Sequence, residues 1–341
     1  MGPLVLLVAF MVCLPLQALG VFRNVAAKAV SAAWFTLAAA MLELCGTEIE
    51  VPAMEWERTV VVLCNHNNRV DWMFFWCVAA RCQRCADLCV VLKASLRKVP
   101  FFGWATQAFS FVFLTRTNKA LDLGRIQNAL KGRRNVVLLV YPEGTDLSPE
   151  NVRKSQAFAE PLGLPKWSHV LMPRSAGARA AIDSLRPDAV YDCTVKFETA
   201  DGSRPNETDL FLRGRPPTKV SYRYRRYDTV PSQNFDAWLR DQWALKEKRL
   251  SSSSRTDFFK DDDDDDAAPP RMMTMKAPRR AYALALVGWS VALGSFVAAL
   301  SWKPTVRYWV CGLFFLWHTI TIVFQGLDTI MASPVFAAMG I

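Results

Sequence analysis

The sequence predicts an α/β domain, a mostly parallel sheet flanked by helices, set between an N-terminal and a C-terminal membrane hairpin. Three observations carry this. Strand-like runs alternate with helical patterns through the middle of the 341-residue chain, the order that builds parallel sheets. Uncharged apolar stretches flank that middle at both ends. Hydrophobic residues make up 52% of the chain and charged residues 21%, which is too apolar for a disordered segment.

The elements follow in order. Residues 2–22 carry no charge before Arg23, and residues 29–42 carry none between Lys28 and Glu43. A spanning helix needs about 20 apolar residues; the first stretch meets that, and the second does so if Lys28 snorkels. Ala18-Leu19-Gly20 resembles a signal cleavage site. A basic leading segment is missing, however, and a second apolar segment follows at once, so residues 1–46 read as a helical hairpin, in part re-entrant.

The domain of residues 47–250 comes next. Its expected strands are Thr59–Asn65, Leu88–Ala94, Ser110–Arg116, Asn135–Tyr141, Val170–Pro173 and Ala189–Glu198. Helical patterns cover Asn118–Lys131, Ala176–Leu185 and Phe235–Leu250. The uncharged run 99–115 holds Pro100 and Gly103, and reads as a buried or membrane-facing helix leading into a strand. On a strand, Lys219, Ser221, Arg223 and Arg225 share one face and Val220, Tyr222 and Tyr224 the other. That basic face suits anionic headgroups or equally a plain solvated edge.

Residues 251–280 hold serines, the run Asp261–Asp266, Ala-Ala-Pro-Pro and a basic patch, so they read as a flexible linker. The acidic run lacks the spaced ligands and turn glycine of a calcium loop. Two further uncharged stretches, 281–302 and 308–327, are separated by Lys303-Pro304-Thr305-Val306-Arg307 and form the C-terminal hairpin over 281–327, with a tail at 328–341. Arg271, Lys276, Arg279 and Arg280 precede it and place that side in the cytosol. The sequon Asn206-Glu207-Thr208 is then unused.

The charge balance, 41 basic against 31 acidic residues, suits an anionic partner. With the apolar excess, this favours membrane lipids and not nucleic acid. The nine cysteines are scattered and odd in number, unlike a disulfide scaffold. Cys82, Cys85 and Cys89, with Cys77 nearby, would need His66 to complete a zinc site. They read as reduced thiols, and no metal is expected.

The residues that carry chemistry begin at Asn65-His66-Asn67-Asn68-Arg69-Val70-Asp71-Trp72, which follows a β-branched strand. Open α/β sheets bind ligands at the carboxyl ends of their strands. A carboxylate on one ring nitrogen of His66 would fix the tautomer and leave the other nitrogen as a base. Three further blocks follow. Phe111-Val112-Phe113-Leu114-Thr115-Arg116 is an apolar strand ending in a cation. Tyr141-Pro142-Glu143-Gly144-Thr145 runs from a strand into a turn, and Val170-Leu171-Met172-Pro173-Arg174-Ser175-Ala176-Gly177 from a strand into a helix.

In this order the four blocks resemble the glycerophospholipid acyltransferase family, also called the lysophosphatidate acyltransferase family. The resemblance runs from about 65 to 177 and on through Phe158-Ala159-Glu160 and Trp238–Arg249. Asn-His-x4-Asp-Trp-Met-Phe, Pro-Glu-Gly-Thr-Asp-Leu and Val-Leu-x-Pro-Arg are similar to the eukaryotic branch that contains lysocardiolipin acyltransferase. The paired C-terminal membrane segments fit that branch as well.

The resemblance implies a membrane-anchored acyltransferase domain at 47–250 that esterifies the free hydroxyl of a lysophospholipid from acyl-CoA. Acyl-CoA is then a co-substrate, and no cofactor is implied. His66 would be the general base and Asp71 its orienting partner. Arg116 would hold the acceptor phosphate, Glu143, Gly144 and Thr145 the glycerol-phosphate head, and Pro173 would shape the acyl or CoA side. Lys93, at a strand end, is a further candidate for a substrate phosphate. Thr117 departs from the aromatic common after that Arg in the branch, which leaves the acceptor open among lysophosphatidate, lysocardiolipin, lysophosphatidylglycerol and lysophosphatidylinositol. The family's usual address is the endoplasmic reticulum membrane, with the catalytic domain facing the cytosol. Two rival readings stand beside this. A non-catalytic lipid-binding or scaffolding protein would not need His66 and Asp71, and a lipid hydrolase would need a Gly-x-Ser-x-Gly elbow that the chain lacks.

Overall fold

Unbroken aliphatic runs make the central strands. Val60–Cys64 (β2) and Val137–Val140 (β5) are buried along their whole length, as strands covered on both faces must be. The computed structural model describes residues 23–99, 102–252, 254, 258–259, 274–302, 305, 308 and 311–312. The chain divides into two compact units.

The larger unit takes residues 38–84 and 120–277. Its strands are Glu48–Glu50 (β1), β2, β5, Ala189–Glu198 (β6) and Lys219–Tyr227 (β7). They lie in the order β1-β7-β6-β2-β5, parallel throughout except for the β6–β7 pair. Leu63 pairs with Val140 and Cys64 with Cys193, so the loops after β2 and β5 leave the sheet at the same end. That common end is where the first and third sequence blocks meet.

Helices cover this sheet. Asp71–Arg81 (α2) buries Phe74, Phe75, Trp76 and Val78, while Ser175–Leu185 (α6) and Phe235–Ser251 (α8) pack on β2 and β6 and on each other. Pro149–Ala159 (α5) starts at Ser148, whose hydroxyl accepts from the Asn151 N–H, with Pro149 in the first turn. Lys119–Leu130 (α4) and the short Glu207–Phe211 (α7) complete the set.

The smaller unit holds residues up to Leu37, 85–119 and those from Pro278 on. Leu88–Lys93 (β3) and Val112–Leu114 (β4) pair in parallel, joined through Phe102–Ala108 (α3). The helix Arg23–Leu44 (α1) contributes Phe35, which packs on Phe109 and Phe111. Arg279–Trp302 (α9) meets it through Trp289, whose indole N–H donates to the Ala33 carbonyl. Along α9, Leu284, Val287, Val291 and Val297 stand exposed.

Several expectations hold and some do not. Strands β2, β3, β5 and β6 and helices α4, α6 and α8 form where the sequence places them, and the strand at 110–116 shrinks to Val112–Leu114. Val170–Pro173 forms no strand. The Val170 N–H donates to Glu247 Oε2 and the Met172 N–H to the Ser155 hydroxyl, so side chains take the bonds that a sheet neighbour would need. The basic strand is not a solvated edge either. The acidic β1 pairs outside β7, Ser221 bonds Glu50, and Lys219 reaches Glu48 at 3.1 Å and Glu50 at 3.2 Å. Among the described residues one helix, over Arg279–Ala299, is long and apolar enough to cross a membrane. Helix α1 buries Phe35, Leu37, Ala39, Ala40 and Leu42 within the protein. The segments 2–22 and 261–266 and nearly all of 308–327 lie outside the described residues.

Candidate active site

The site is built on the loop that follows β2. Asn65 ends the strand: its side chain donates to the Val195 carbonyl at 3.1 Å and accepts from the Val195 N–H at 2.8 Å, continuing the β6 ladder by one step. The main chain then turns, and His66 is held at both of its backbone groups. Its N–H donates to Glu143 Oε1 at 3.2 Å, and its carbonyl accepts from the Leu147 N–H at 3.0 Å. A histidine fixed at the backbone needs only its ring to be oriented.

Asp71 does that. It opens α2, where the positive end of the helix favours a carboxylate. Its Oδ2 lies 2.9 Å from His66 Nδ1 and also accepts from the Asn68 N–H at 3.4 Å. The Asp71 side chain is 1% exposed and that of His66 13%, so the pair is largely shielded from water. Burial alone would lower the imidazole pKa. The charge and hydrogen bond of Asp71 outweigh it, helped by Glu143 and Asp146, and the pKa lies above its usual range. With Nδ1 committed to Asp71, Nε2 is the nitrogen left for proton transfer.

The third block forms the adjoining wall. Gly144 takes φ +75, a conformation costly for any residue with a Cβ, and its N–H closes a turn on the Tyr141 carbonyl. Thr145 accepts from the Asn151 side chain at 3.0 Å. Pro173 is half-buried in the fourth block, whose Arg174 N–H donates to the Pro142 carbonyl at 2.8 Å. The Arg174 side chain approaches Gly144, which places an exposed cation against this turn.

Glu143 is not on the surface. It is 2% exposed, with Oε1 accepting from both the His66 N–H and the Trp243 indole N–H, the latter at 2.9 Å. Burial pushes its carboxyl up to about 7, against the partial offset of Trp243 and His66. The structure therefore makes Glu143 a tie between α8 and the His66 backbone. Trp243 lies 100 residues further along the chain, and no spacing pattern points from one to the other. Trp243→Phe removes the indole donor and leaves a buried oxygen short of a partner. It is expected to cost about 1–3 kcal/mol of stability and to lower kcat with little change in either KM. Thermal unfolding and steady-state kinetics check both.

The structure thus brings His66, Asp71, Glu143, Gly144, Thr145 and Pro173 into the larger unit. Arg116 and Lys93 belong to the smaller one. Lys93 ends β3 and is exposed, and Arg116 follows β4, exposed and in the left-handed region at φ +62. Cys64, next to Asn65, is buried with its sulfur 3.6 Å from that of Cys193. Burial, followed by Cys193, drives its thiol well above the ordinary range, which opposes a thiolate nucleophile. Among the described residues no group of three or more His, Cys, Asp or Glu is placed to hold a metal.

Sequence reasoning missed the Glu247 carboxylate of α8. It accepts from the N–H groups of Ser168, His169 and Val170 and lies 3.1 Å from His169 Nδ1, pinning the segment that leads into Pro173. It also missed the ring of Tyr141, which stacks on the His66 imidazole with centroids 4.4 Å apart.

Residues 47–197 match the family model described as Acyltransferase. Lysocardiolipin acyltransferase 1 of Danio rerio is 36% identical over 236 residues, which is 65% of this chain and 60% of that protein. Lysophosphatidylinositol acyltransferase 10 of Caenorhabditis elegans is 32% identical over 246 residues, covering 67% of this chain and 62% of that one. A probable 1-acyl-sn-glycerol-3-phosphate acyltransferase 5 of Arabidopsis thaliana is 35% identical over 204 residues, 57% and 53% of the two chains. The chain spans between half and two thirds of the length of these relatives.

Proposed function

From the premise that residues 47–197 are an Acyltransferase-family domain, we propose that this chain is an acyl-CoA-dependent O-acyltransferase that esterifies the free hydroxyl of a lysophospholipid. What carries the proposal is the buried His66–Asp71 pair at the carboxyl end of β2, with Nδ1 to Oδ2 at 2.9 Å. A lipid-binding scaffold has no use for an oriented base, so the non-catalytic reading is not favoured.

In the proposed reaction His66 Nε2 takes the proton of the acceptor hydroxyl as its oxygen attacks the thioester carbonyl. The new C–O bond forms, the C–S bond breaks, and the departing CoA thiolate recovers the proton from the imidazolium. Asp71, hydrogen-bonded to Nδ1, holds the tautomer and faces the cation as it forms. No cofactor enters the chemistry. Glu143 and Trp243 hold the His66 main chain, and the turn at Gly144 and Thr145 together with Pro173 lines the substrate side.

Arg116 is proposed to bind the acceptor phosphate, since a guanidinium offers a planar pair of donors to phosphate oxygens. The relatives' names include lysocardiolipin, lysophosphatidylinositol and 1-acylglycerol-3-phosphate as acceptors, and each presents a phosphate and a hydroxyl. The exposed apolar face of α9 supports a membrane-held enzyme, for which we infer a multi-pass arrangement in the endoplasmic reticulum with the catalytic domain in the cytosol.

Kinetics with each substrate varied in turn test the acceptor assignment. Hydrogen bonds to charged groups are worth roughly 1.5–3 kcal/mol, so Arg116→Ala is expected to raise the acceptor KM about 10- to 150-fold while sparing the acyl-CoA KM. A defect confined to acyl-CoA, or none, would remove Arg116 from the phosphate site.

A further inference from the structure

We propose that Tyr141 is a positioning residue for the base: its ring clamps one face of the His66 imidazole and stabilises the imidazolium formed during acyl transfer. This rests on the reading above, in which His66 accepts the acceptor's proton. The stack is close, with ring centroids 4.4 Å apart and planes 24° from parallel. Tyr141 is the first residue after β5, and Pro142 follows it. A residue before proline is disfavoured in the helical region, so the strand direction carries through Tyr141.

The clamp supplies what Asp71 cannot. One hydrogen bond to Nδ1 fixes the tautomer but leaves the imidazole free to rock about the Nδ1–Oδ2 line. A flat ring on its face removes that freedom, and Nε2 is then held in one direction. The face of a phenol ring is also electron-rich and attracts a cation within about 6 Å of its centroid. This attraction is weak for neutral imidazole and grows as His66 gains its proton. It therefore acts more strongly in the transition state than in the ground state, which is the condition for lowering a barrier.

The charged and titratable groups around the pair are Asp71 from α2 and Glu143 and Asp146 from the loop after β5, all three acting on His66. Burial, the largest influence, keeps the Tyr141 phenol neutral; Asp71 also acts on it by charge and through its hydroxyl, and Cys64 of β2 and Tyr222 of β7 act on it by charge. Tyr141→Phe removes the hydroxyl that reaches Asp71 and keeps the ring, while Tyr141→Leu removes both, so the difference between the two variants isolates the ring.

The test compares Tyr141→Phe and Tyr141→Leu with the wild type, each as the full chain in lipid nanodiscs. Two quantities are followed against pH: kcat with both KM values, and the rate at which diethyl pyrocarbonate modifies His66, read on its peptide by mass spectrometry. The second reports the imidazole titration without any turnover. Tyr141→Phe keeps the ring face and is expected to stay within about 3-fold of wild type in kcat, with an unmoved titration. Tyr141→Leu is expected to lose about 10-fold in kcat at unchanged KM, with the His66 titration shifted to lower pH.

Full activity and an unmoved titration in Tyr141→Leu would overturn the proposal. So would a loss of 10-fold or more in Tyr141→Phe, which decides the matter even where the leucine variant does not fold. A wild-type protein that transfers no acyl group would defeat the enzymatic reading, while the titration comparison would still decide the clamp.

Discussion

His66→Ala is expected to lower acyl transfer by at least about 10²-fold, and by as much as 10⁴-fold, the span typical of general-base catalysis. The side chain is largely buried, its backbone is tied by Glu143 and Leu147, and Asp71 occupies Nδ1. Removing the ring deletes the base and leaves those backbone ties in place, so the protein should remain folded. Asp71→Asn should also cut the rate severely, because an amide no longer enforces the tautomer that leaves Nε2 free. The base must be neutral to work, and its pKa is raised above the usual 6.5. Activity should therefore fall on the acid side, with a midpoint above pH 6.5. Rates measured alongside an unfolding curve separate lost chemistry from lost fold.

The second large effect concerns stability. Lys246 of α8 is fully buried, with Nζ 2.7 Å from Asp192 Oδ1 on β6, and that carboxylate is itself only 2% exposed. The ammonium also donates to the Cys193 carbonyl and lies 4.8 Å from the centroid of the Trp243 ring. Deleting one member of such a pair strands the other charge away from water, which typically costs about 3–5 kcal/mol. Lys246→Met is expected to destabilise the protein by about that amount. The double variant Lys246→Met, Asp192→Asn should recover part of the loss, because the uncompensated carboxylate is gone. Denaturant or thermal unfolding of the detergent-solubilised protein measures both. The site feels this pair too, since the same turn of α8 carries Trp243, the donor to Glu143.

What the sequence made legible was mostly local. The runs at 60–64, 137–140 and 189–198 read as strands because they are aliphatic and bounded by turn residues. The His66–Asp71 contact was legible because the partners lie five residues apart across a strand end and a helix start. What stayed hidden depends on distant partners. Val170–Pro173 has the composition of a strand, but the carboxylate that takes its first N–H comes from Glu247, 77 residues on. Three-residue β1 is too short to show a period, so the sequence leaves the basic strand at 219–227 open between a headgroup-facing face and a solvated edge, and its acidic neighbour is visible only in the structure. A glutamate in a turn reads as exposed, and the donors that meet the buried Glu143, the Trp243 indole and the His66 N–H, both come from distant parts of the chain. The Tyr141 stack escaped for the same reason, because two rings from loops after different strands meet only once β2 and β5 are paired.

The central claim is tested most directly by purifying the full chain and following free CoA released from oleoyl-CoA. Lysophosphatidate, lysophosphatidylglycerol, lysophosphatidylinositol and lysocardiolipin are supplied one at a time, and the acylated product is identified by mass. The account predicts CoA release that requires at least one of these acceptors, with one acyl chain added per CoA and release from His66→Ala lower by at least about 10²-fold. Well-folded wild-type protein that acylates none of the four, or His66→Ala protein that matches it, would contradict the account.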